Sequence, residues 1–205
     1  MPQPSPSLGV QEDMEAVANL ERDAQLMLRV RDGDETSFGL LLERHRGPVI
    51  HFLQRMVGNQ AVSEELAQEV FFRVYKSRAS YEPTAKFTTW LFRIAAHLAL
   101  NSIRDGKKEK GQQSLDEALP DGRERQVADG ARSVEASLVQ EVRVREIRAA
   151  VEALPEKQRA AVLLHKYEGL GYAQISRVLE CSESATKSLL FRAYETLRVR
   201  LAQFA

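Results

Sequence analysis

The sequence predicts an all-α protein of two small helical domains joined by a flexible linker, with a helix-turn-helix in the C-terminal domain. Three observations predict this. Apolar residues recur at three- and four-residue spacing in two long segments. About 30 residues between these segments lose the period and are rich in glycine, charge and glutamine. No strand-like alternation of useful length occurs in the first segment.

Four parts follow along the chain of 205 residues. Residues 1–22 begin with Pro, Ser and Gln and are predicted to be a disordered extension. Residues 23–106 form the first helical domain, residues 107–137 the linker and residues 138–205 the second helical domain. From residues alone, a linker of this composition is equally well read as a passive tether.

Charge is balanced over the whole chain but not along it. Lys and Arg number 29, as do Asp and Glu, so the net charge is zero. The segment from Lys86 to Lys110 holds six bases against two acids, and the last 20 residues hold four against one. Two basic segments therefore alternate with acidic ones, which lets a neutral chain offer surfaces for a polyanion.

Composition also bears on where the protein works. The chain has one cysteine, Cys181, so it forms no internal disulfide and no thiolate metal cluster. The N-terminus MPQPSPSLGVQEDM lacks the basic start and apolar run of a secretory signal, and the longest aliphatic run, AAVLL, is far too short to span a membrane. We therefore expect a soluble cytoplasmic protein that is not itself a membrane protein.

The first domain opens with amphipathic helix from Phe38 to Met56. Gly47 and Pro48 fall inside this pattern and are expected to kink it or to divide it into two helices. Asn59 is expected to form a turn.

The next helix is predicted to start at Ser63, with Glu64 and Glu65 in its first turn, where the helix dipole favours acids. A loop around Pro83 then leads to another helix, predicted to start near Thr88.

The stretch AKFTTWLFRIAAHLALNSIR, residues 85–104, combines two unlike helix faces. One is an apolar stripe suited to a core, comprising Leu91, Ile94, Ala95, Leu98 and Ile103. The other mixes an aromatic ring with hydrogen-bond donors, Trp90, Arg93, His97, Asn101 and Arg104, beside Lys86 and Phe87. Rings stack on unpaired bases while cations hold phosphates, so this face suits a single strand. The alternative is a tryptophan that caps the core beside a solvated face.

In the second domain, apolar periodicity returns with Val142, Ile147, Val151 and Leu154. Pro155 is expected to occupy the first turn of the following helix.

The segment YAQISRVLECSESATKSLLFRAYETLR has the outline of a helix-turn-helix. A short helix from Tyr172 to Leu179 is followed by a turn at Glu180 to Ser182 and by a longer helix to Leu201, which Ser182 caps. Such a second helix fits the major groove. Its available polar groups are Glu183, Ser184, Thr186, Lys187, Ser188 and Arg192. Helical hairpins without a DNA function share this outline.

Catalytic patterns are weak. The four histidines are scattered without a metal-ligand spacing, and the chain has neither a phosphate-binding glycine loop nor a nucleophile elbow. Cys181 lies in the turn of the helix-turn-helix and is read as a small apolar plug. We expect no enzymatic activity, no cofactor, no metal and no small-molecule substrate.

Three segments, in this order, resemble the extracytoplasmic-function (ECF) group of bacterial sigma-70-type sigma factors. EELAQEVFFRVYK resembles the core-polymerase docking helix, and FTTWLFRIAAHLALNSIR resembles the helix that melts and reads the minus-ten box. LPEKQRAAVLLHKYEGLGYAQISRVLECSESATKSLLFRAYETLR resembles the domain that reads the minus-thirty-five box. The resemblance covers residues 23–104 and 138–203. It makes residues 23–106 similar to sigma region 2 and residues 138–205 similar to region 4.

The resemblance implies roles for named residues. Trp90 would help to separate the DNA strands while its neighbours hold an extruded base, and the whole minus-ten set is Lys86, Phe87, Thr88, Trp90, Arg93, His97, Asn101 and Arg104. The minus-thirty-five set would be the six polar residues of the second helix named above. Contacts to core RNA polymerase would come from Glu65, Gln68, Glu69 and Arg73. The linker would thread toward the polymerase active site, and an anti-sigma protein would occlude exposed faces.

Five positions depart from the family pattern. His97 stands where asparagine is common near the flipped base, and Glu180 stands where glycine is frequent. Ala185 and Thr186 replace a Thr-Val pair, and Leu189 replaces a common arginine. The change at His97 affects the preferred flipped base, and the changes at Ala185, Thr186 and Leu189 indicate an unusual or weakly bound upstream box.

The expected function is that of an alternative sigma factor, which binds core RNA polymerase and promoter DNA as duplex and as melted single strand. The alternative is a helix-turn-helix regulator that binds duplex DNA without entering the polymerase. Such a regulator needs neither the docking helix nor Trp90. A third class, a helical adaptor that binds only protein, predicts no salt-sensitive DNA affinity.

Overall fold

The computed structural model describes residues 22–112 and 134–202. All regular secondary structure in these two ranges is helical, which confirms the predicted all-α class. The first helix, α1, spans residues 22–31. The predicted N-terminal extension lies outside the described residues except at its last position.

Helix α2, Glu35–Val57, is a single helix. Asp34 caps its start by accepting a hydrogen bond from the Ser37 N–H at 3.1 Å, and Gly58 ends it in the left-handed conformation at φ 78°. The predicted alternative of a division at Gly47 and Pro48 is wrong, because buried side chains on both sides of Pro48 hold the two halves against one core.

Helix α3, Gln60–Lys76, starts three residues earlier than predicted. Asn59, expected in a turn, is its N-cap and accepts a hydrogen bond from the Val62 N–H at 3.1 Å. Ser63, expected to start the helix, is fully buried and donates to the Asn59 carbonyl at 2.6 Å.

A 3-10 turn, Arg78–Ser80, precedes the long helix α4, Phe87–Gln112. The predicted linker, 107–137, is helical at both ends, since α4 continues to Gln112 and α5 begins at Val134. Lys and Glu are good helix formers, so α4 continues after its apolar period is lost. The rest of the predicted linker lies outside the described residues.

The second domain contains α5, Val134–Glu152, and α6, Glu156–Lys166, followed by α7, Tyr172–Val178, and α8, Glu183–Arg200. Pro155 lies at the N-cap of α6, one position before the expected first turn.

The predicted helix-turn-helix is present as α7, a short turn and α8. Ser182 caps α8 as predicted, accepting from the Ala185 N–H at 3.1 Å. Within the turn, Glu180 adopts a left-handed conformation at φ 51°.

The core is one cluster of buried residues to which both domains contribute. Its central element is α4, which packs against α2 and α3 on one side and against α7 on the other. The predicted stripe on α4 faces this core, with Leu91 and Ala95 fully buried.

Helix α5 departs from its predicted pattern. Val142 and Ile147 are 38% and 43% exposed, whereas Ala150 and Leu154 are buried. The apolar period therefore marks a buried face only near the end of α5. Among the helices of the described ranges, none combines the length and apolarity that crossing a bilayer demands.

Candidate nucleic-acid interface

Trp90 lies on the exposed side of α4 within a small aromatic cluster. Its ring centroid is 5.0 Å from that of Tyr81 and 5.9 Å from that of Phe87. Tyr81 and Phe87 are both buried, whereas Trp90 is half-buried. Two covered rings therefore fix an indole that solvent still reaches, which is an arrangement suited to stacking without side-chain rearrangement.

Phe87 does not belong to the exposed surface. It is fully buried in the first turn of α4, with its ring centroid 5.3 Å from that of His45 on α2. The structure therefore places Phe87 in the core on the α2 side and not on the surface that was predicted to contact DNA. Its place in the structure is behind Trp90, as a support.

Five of the remaining predicted minus-ten residues share one side of α4, and with Lys86 just before the helix we call them the minus-ten face. Arg93, His97 and Arg104 are exposed along α4, and Lys86 is exposed just before it. Thr88 and Asn101 are half-buried. The minus-ten face comprises Lys86, Trp90, Arg93, His97, Asn101 and Arg104. By helical spacing, Thr88 falls on the opposite side of α4 from Trp90, and its DNA contact stays a prediction.

Lys107 and Lys108 extend this row of basic residues by one helical turn. Sequence reasoning assigned them to the linker because no apolar period accompanies them. With Asn101 and Arg104 they line a cleft between α4 and the start of α6. Lys107 forms an ion pair with Glu156 on α6, and the hydrogen bond from Lys107 lowers the pKa of that carboxyl.

The second candidate surface lies on α8, and we call it the reading face. Five of the six predicted side chains are exposed, Glu183, Ser184, Lys187, Ser188 and Arg192. They begin at the N-terminal end of α8, which a helix-turn-helix presents to the groove.

Thr186 is an exception to the prediction. It is fully buried, and its hydroxyl donates to the Ser182 carbonyl at 3.2 Å. Its Oγ1 also lies 3.3 Å from the sulfur of Cys181, which is half-buried and packs against the core. The prediction that Thr186 is available to base edges is therefore wrong, because it closes the turn from the inside.

Phe191 was missed by sequence reasoning, which assigned only polar groups to the reading face. Its side chain is 68% exposed. It lies four residues after Lys187 and three after Ser188, so the three residues share one side of α8. The sequence signal was an aromatic residue outside the buried spacing of Leu190 and Ala193.

The predicted polymerase contacts lie on α3, and we call them the docking face. Glu65, Gln68 and Arg73 are exposed, and Glu69 accepts a hydrogen bond from the Arg73 Nε at 2.6 Å. One further residue of this side, Phe72, is 59% exposed.

The Phe72 ring lies beside a positive charge, because the Lys76 ammonium is 5.9 Å from its ring centroid. Exposed aromatic rings are enriched at protein-binding surfaces. In the residues that the structure describes, no cluster of His, Cys, Asp and Glu is arranged to hold a metal ion.

Comparison with known proteins assigns both domains to one family. The sigma-70 region 2 family model matches residues 41–109, which include α3 and the minus-ten face. The sigma-70 region 4 family model matches residues 144–197, which include the helix-turn-helix. A curated relative, the ECF RNA polymerase sigma-E factor of Haemophilus influenzae, is 30% identical over 183 residues, 87% of this chain and 95% of the relative.

The chain belongs to the ECF group of sigma factors.

Further relatives show that the similarity spans this sigma factor from one domain to the other. The RNA polymerase sigma factor CarQ of Myxococcus xanthus is 33% identical, over 86% of this chain and 96% of the relative. The ECF RNA polymerase sigma factor SigW of Bacillus subtilis is 30% identical, over 84% of this chain and 93% of the relative.

Solved structures share the fold of this sigma factor. CnrH, solved in complex with the cytosolic domain of CnrY, aligns with a TM-score of 0.62 at 22% identity, covering 89% of this chain and 99% of CnrH. The sigma factor RpoE of Bartonella quintana, solved with the anti-sigma factor NepR, aligns with a TM-score of 0.65 at 19% identity. The alignment covers 80% of this chain and 96% of RpoE. At these identities the likeness establishes the fold alone.

Proposed function

We propose that this ECF sigma factor directs core RNA polymerase to promoters by reading the minus-ten element with α4 and the minus-thirty-five element with α8. One observation carries the proposal. Each domain presents one row of side chains that combines basic residues with an aromatic ring. Each row lies on a helix within the match to the corresponding sigma region. The sigma factor itself catalyses no reaction in this scheme.

On the minus-ten face, Trp90 supplies the wedge between strands. Extruding a base costs a few kcal/mol. Stacking on an aromatic ring returns about 1–3 kcal/mol per base, and phosphate contacts from Arg93 and Arg104 add to it. The supports behind Trp90 reduce the entropy lost when the ring engages DNA.

His97 and Asn101 are one turn apart on α4 and are the candidates for holding the extruded base. Asparagine offers a carbonyl acceptor and an NH2 group with two donors, whereas neutral histidine offers one donor and one acceptor on a rigid ring with a different reach. Because His97 replaces the common asparagine, we expect a base preference at this position that differs from the usual family preference.

On the reading face, Lys187 and Arg192 are the exposed bases available to phosphates. Ser184 and Ser188 offer hydroxyls to base edges, and the ring of Phe191 suits the methyl group of thymine. With only two basic residues on the reading face, we expect a modest affinity for the minus-thirty-five element.

Two protein partners complete the proposal. The docking face on α3 would bind the largest subunit of core polymerase through Glu65, Gln68 and Glu69. An anti-sigma protein would hold the sigma factor inactive, as the NepR complex of RpoE suggests for a protein of the same fold. We place these interactions in the cytoplasm of a bacterium.

Run-off transcription of fragmented genomic DNA tests the proposal. Bacterial core polymerase is assayed with and without this protein, and the new transcripts are mapped. We expect discrete start sites that share two upstream boxes. The absence of any new start site would overturn the proposal. It would favour the adaptor if the protein binds core polymerase and the helix-turn-helix regulator if it does not.

A further inference from the structure

The minus-ten face is in direct contact with the helix-turn-helix of the other domain. Arg93 donates two hydrogen bonds to one oxygen of Glu180, from Nε at 2.9 Å and from Nη2 at 2.6 Å. A second contact lies nearby, where the Gln174 amide donates to the Thr89 hydroxyl at 3.3 Å. Arg93 and Thr89 belong to α4, whereas Gln174 and Glu180 belong to α7 and the turn that follows it.

The Glu180 carboxylate occupies guanidinium donors of Arg93 that are suited to a phosphate. A guanidinium binds a carboxylate and a phosphate through the same fork of N–H donors. Arg93 lies three residues after Trp90 and four before His97, so it is central to the minus-ten face. The hydrogen bond from Arg93 lowers the pKa of Glu180, so the competing group is ionised at neutral pH.

The backbone at Glu180 is unusual for its residue type. Its φ of 51° is left-handed, a conformation that glycine adopts without strain. A glycine here would preserve the turn but would remove the carboxylate. Position 180 therefore offers a variant that breaks the contact while favouring the native backbone.

We propose that the Arg93–Glu180 contact, together with Gln174–Thr89, is an autoinhibitory latch in the free sigma factor: it adds to the apolar packing between the two domains, shifts them toward the closed arrangement and withholds Arg93 from promoter DNA. DNA phosphate competes with Glu180 for the same guanidinium. The latch rests on the proposed function, because it regulates the minus-ten face.

The latch shifts the equilibrium between the closed and open domain arrangements only modestly. The side chains of Arg93 and Glu180 are 56% and 60% exposed, so water and salt screen the pair. An exposed pair of this kind changes an equilibrium by about two- to fivefold.

Distance measurements on the full chain test the closed state. Cys181 is replaced by serine, and spin labels are attached to cysteines introduced at Leu40 and Val199, which are both exposed and outside the proposed surfaces. The matched control is Glu195→Gln, which removes an exposed acid of α8 that pairs with Arg198.

We expect Glu180→Gln and Glu180→Gly to shift the distance distribution toward longer values, and Glu195→Gln to leave it unchanged. An unchanged distribution in both Glu180 variants overturns the latch.

Binding of the free protein to a random 20-nucleotide single strand, followed by fluorescence anisotropy, tests the inhibitory role. We expect both Glu180 variants to bind about two- to fivefold more tightly than the parent, with no change in Glu195→Gln. Domains that open without tighter binding also overturn the proposal.

Arg93→Ala in the Glu180→Gly background separates this failure from failure of the minus-ten assignment. If Arg93→Ala weakens strand binding while Glu180 variants do not alter the distance, the minus-ten face stands and the latch is wrong. If Arg93→Ala has no effect in the opened protein, the minus-ten assignment of Arg93 is wrong and the latch fails with it.

Discussion

His45 and Asp23 form a buried contact in which the His45 Nε2 lies 2.8 Å from the Asp23 Oδ2, with side chains only 8% and 4% exposed. Asp23 also forms an ion pair with Arg44. Because the His45 ring packs on Phe87, and Phe87 on Trp90, this contact connects α1 with the supports of the minus-ten face.

Replacing Asp23 by alanine is expected to destabilise the first domain. The change leaves His45 buried without its partner, which costs about 1–3 kcal/mol. Urea unfolding curves measure this free energy. Asp32→Ala, which removes an exposed acid paired with Arg31, is the control and should change stability by less than about 0.5 kcal/mol. Equal losses in both variants would show that the buried contact contributes nothing specific.

Glu168 is expected to make stability depend on pH. It lies half-buried in the turn after α6, and burial raises its pKa to about 7, although the nearby Arg55 opposes the shift. The folded state thus holds the proton more tightly than the unfolded state, whose value is 4.5. Stability should therefore fall as the pH rises from 4.5 to 7 and then level off.

Glu168→Gln tests this expectation. Because the carboxyl is partly exposed, solvent screening reduces the effect, and we expect the variant to gain about 1 kcal/mol at pH 8 and nothing at pH 4.5. Urea midpoints at several pH values give the comparison. A constant difference between the two proteins across this range would contradict the assignment.

Phe72→Ser should weaken binding to core polymerase. An exposed aromatic at the centre of a docking surface contributes about 2 kcal/mol when it becomes buried in the complex, so we expect a loss of roughly 30-fold. The affinity for core is measured by fluorescence titration. Leu40→Ser, at an apolar position of α2 that is 47% exposed, is the matched control. The docking face is misplaced if both variants bind alike.

Lys187→Ala and Phe191→Ala should affect upstream-box binding in different ways. Loss of Lys187 removes a phosphate contact, so affinity should fall for all sequences and the salt slope should decrease by about one. Loss of Phe191 should reduce the preference for thymine by about 1 kcal/mol. Binding of holoenzyme to promoter libraries at two salt concentrations measures both effects. Val199→Ala, near the other end of α8, serves as control.

Trp90→Ala should leave core binding intact and slow promoter opening. The indole rests on Tyr81 and Phe87 and not on the docking face, so only the strand-separation step loses its wedge. Permanganate footprinting over time follows the opening, and core titration checks the fold. Opening at the parent rate would remove Trp90 from this role.

Local patterns predicted much of the fold. The helix-turn-helix was predicted from its period and from Ser182, whose cap requires only neighbouring residues. The apolar stripe of α4 was predicted in the same way. Where the pattern was interrupted, at Pro48 and after Arg104, the predictions failed, because tertiary packing and helix propensity continued the helices without it.

The sequence by itself determined the two helical domains, the order of the three family segments and the residue types on each candidate surface. Periodicity states on which side of a helix a residue lies, and this depends only on near neighbours. It does not state what covers that side.

Only the tertiary structure decided that Phe87 and Thr186 are buried, that Phe72 and Phe191 are exposed, and that Arg93 is held by Glu180. Arg93 and Glu180 are 87 residues apart in sequence. Contacts over such separations arise when helices pack, and a pattern along one helix carries no information about its partner.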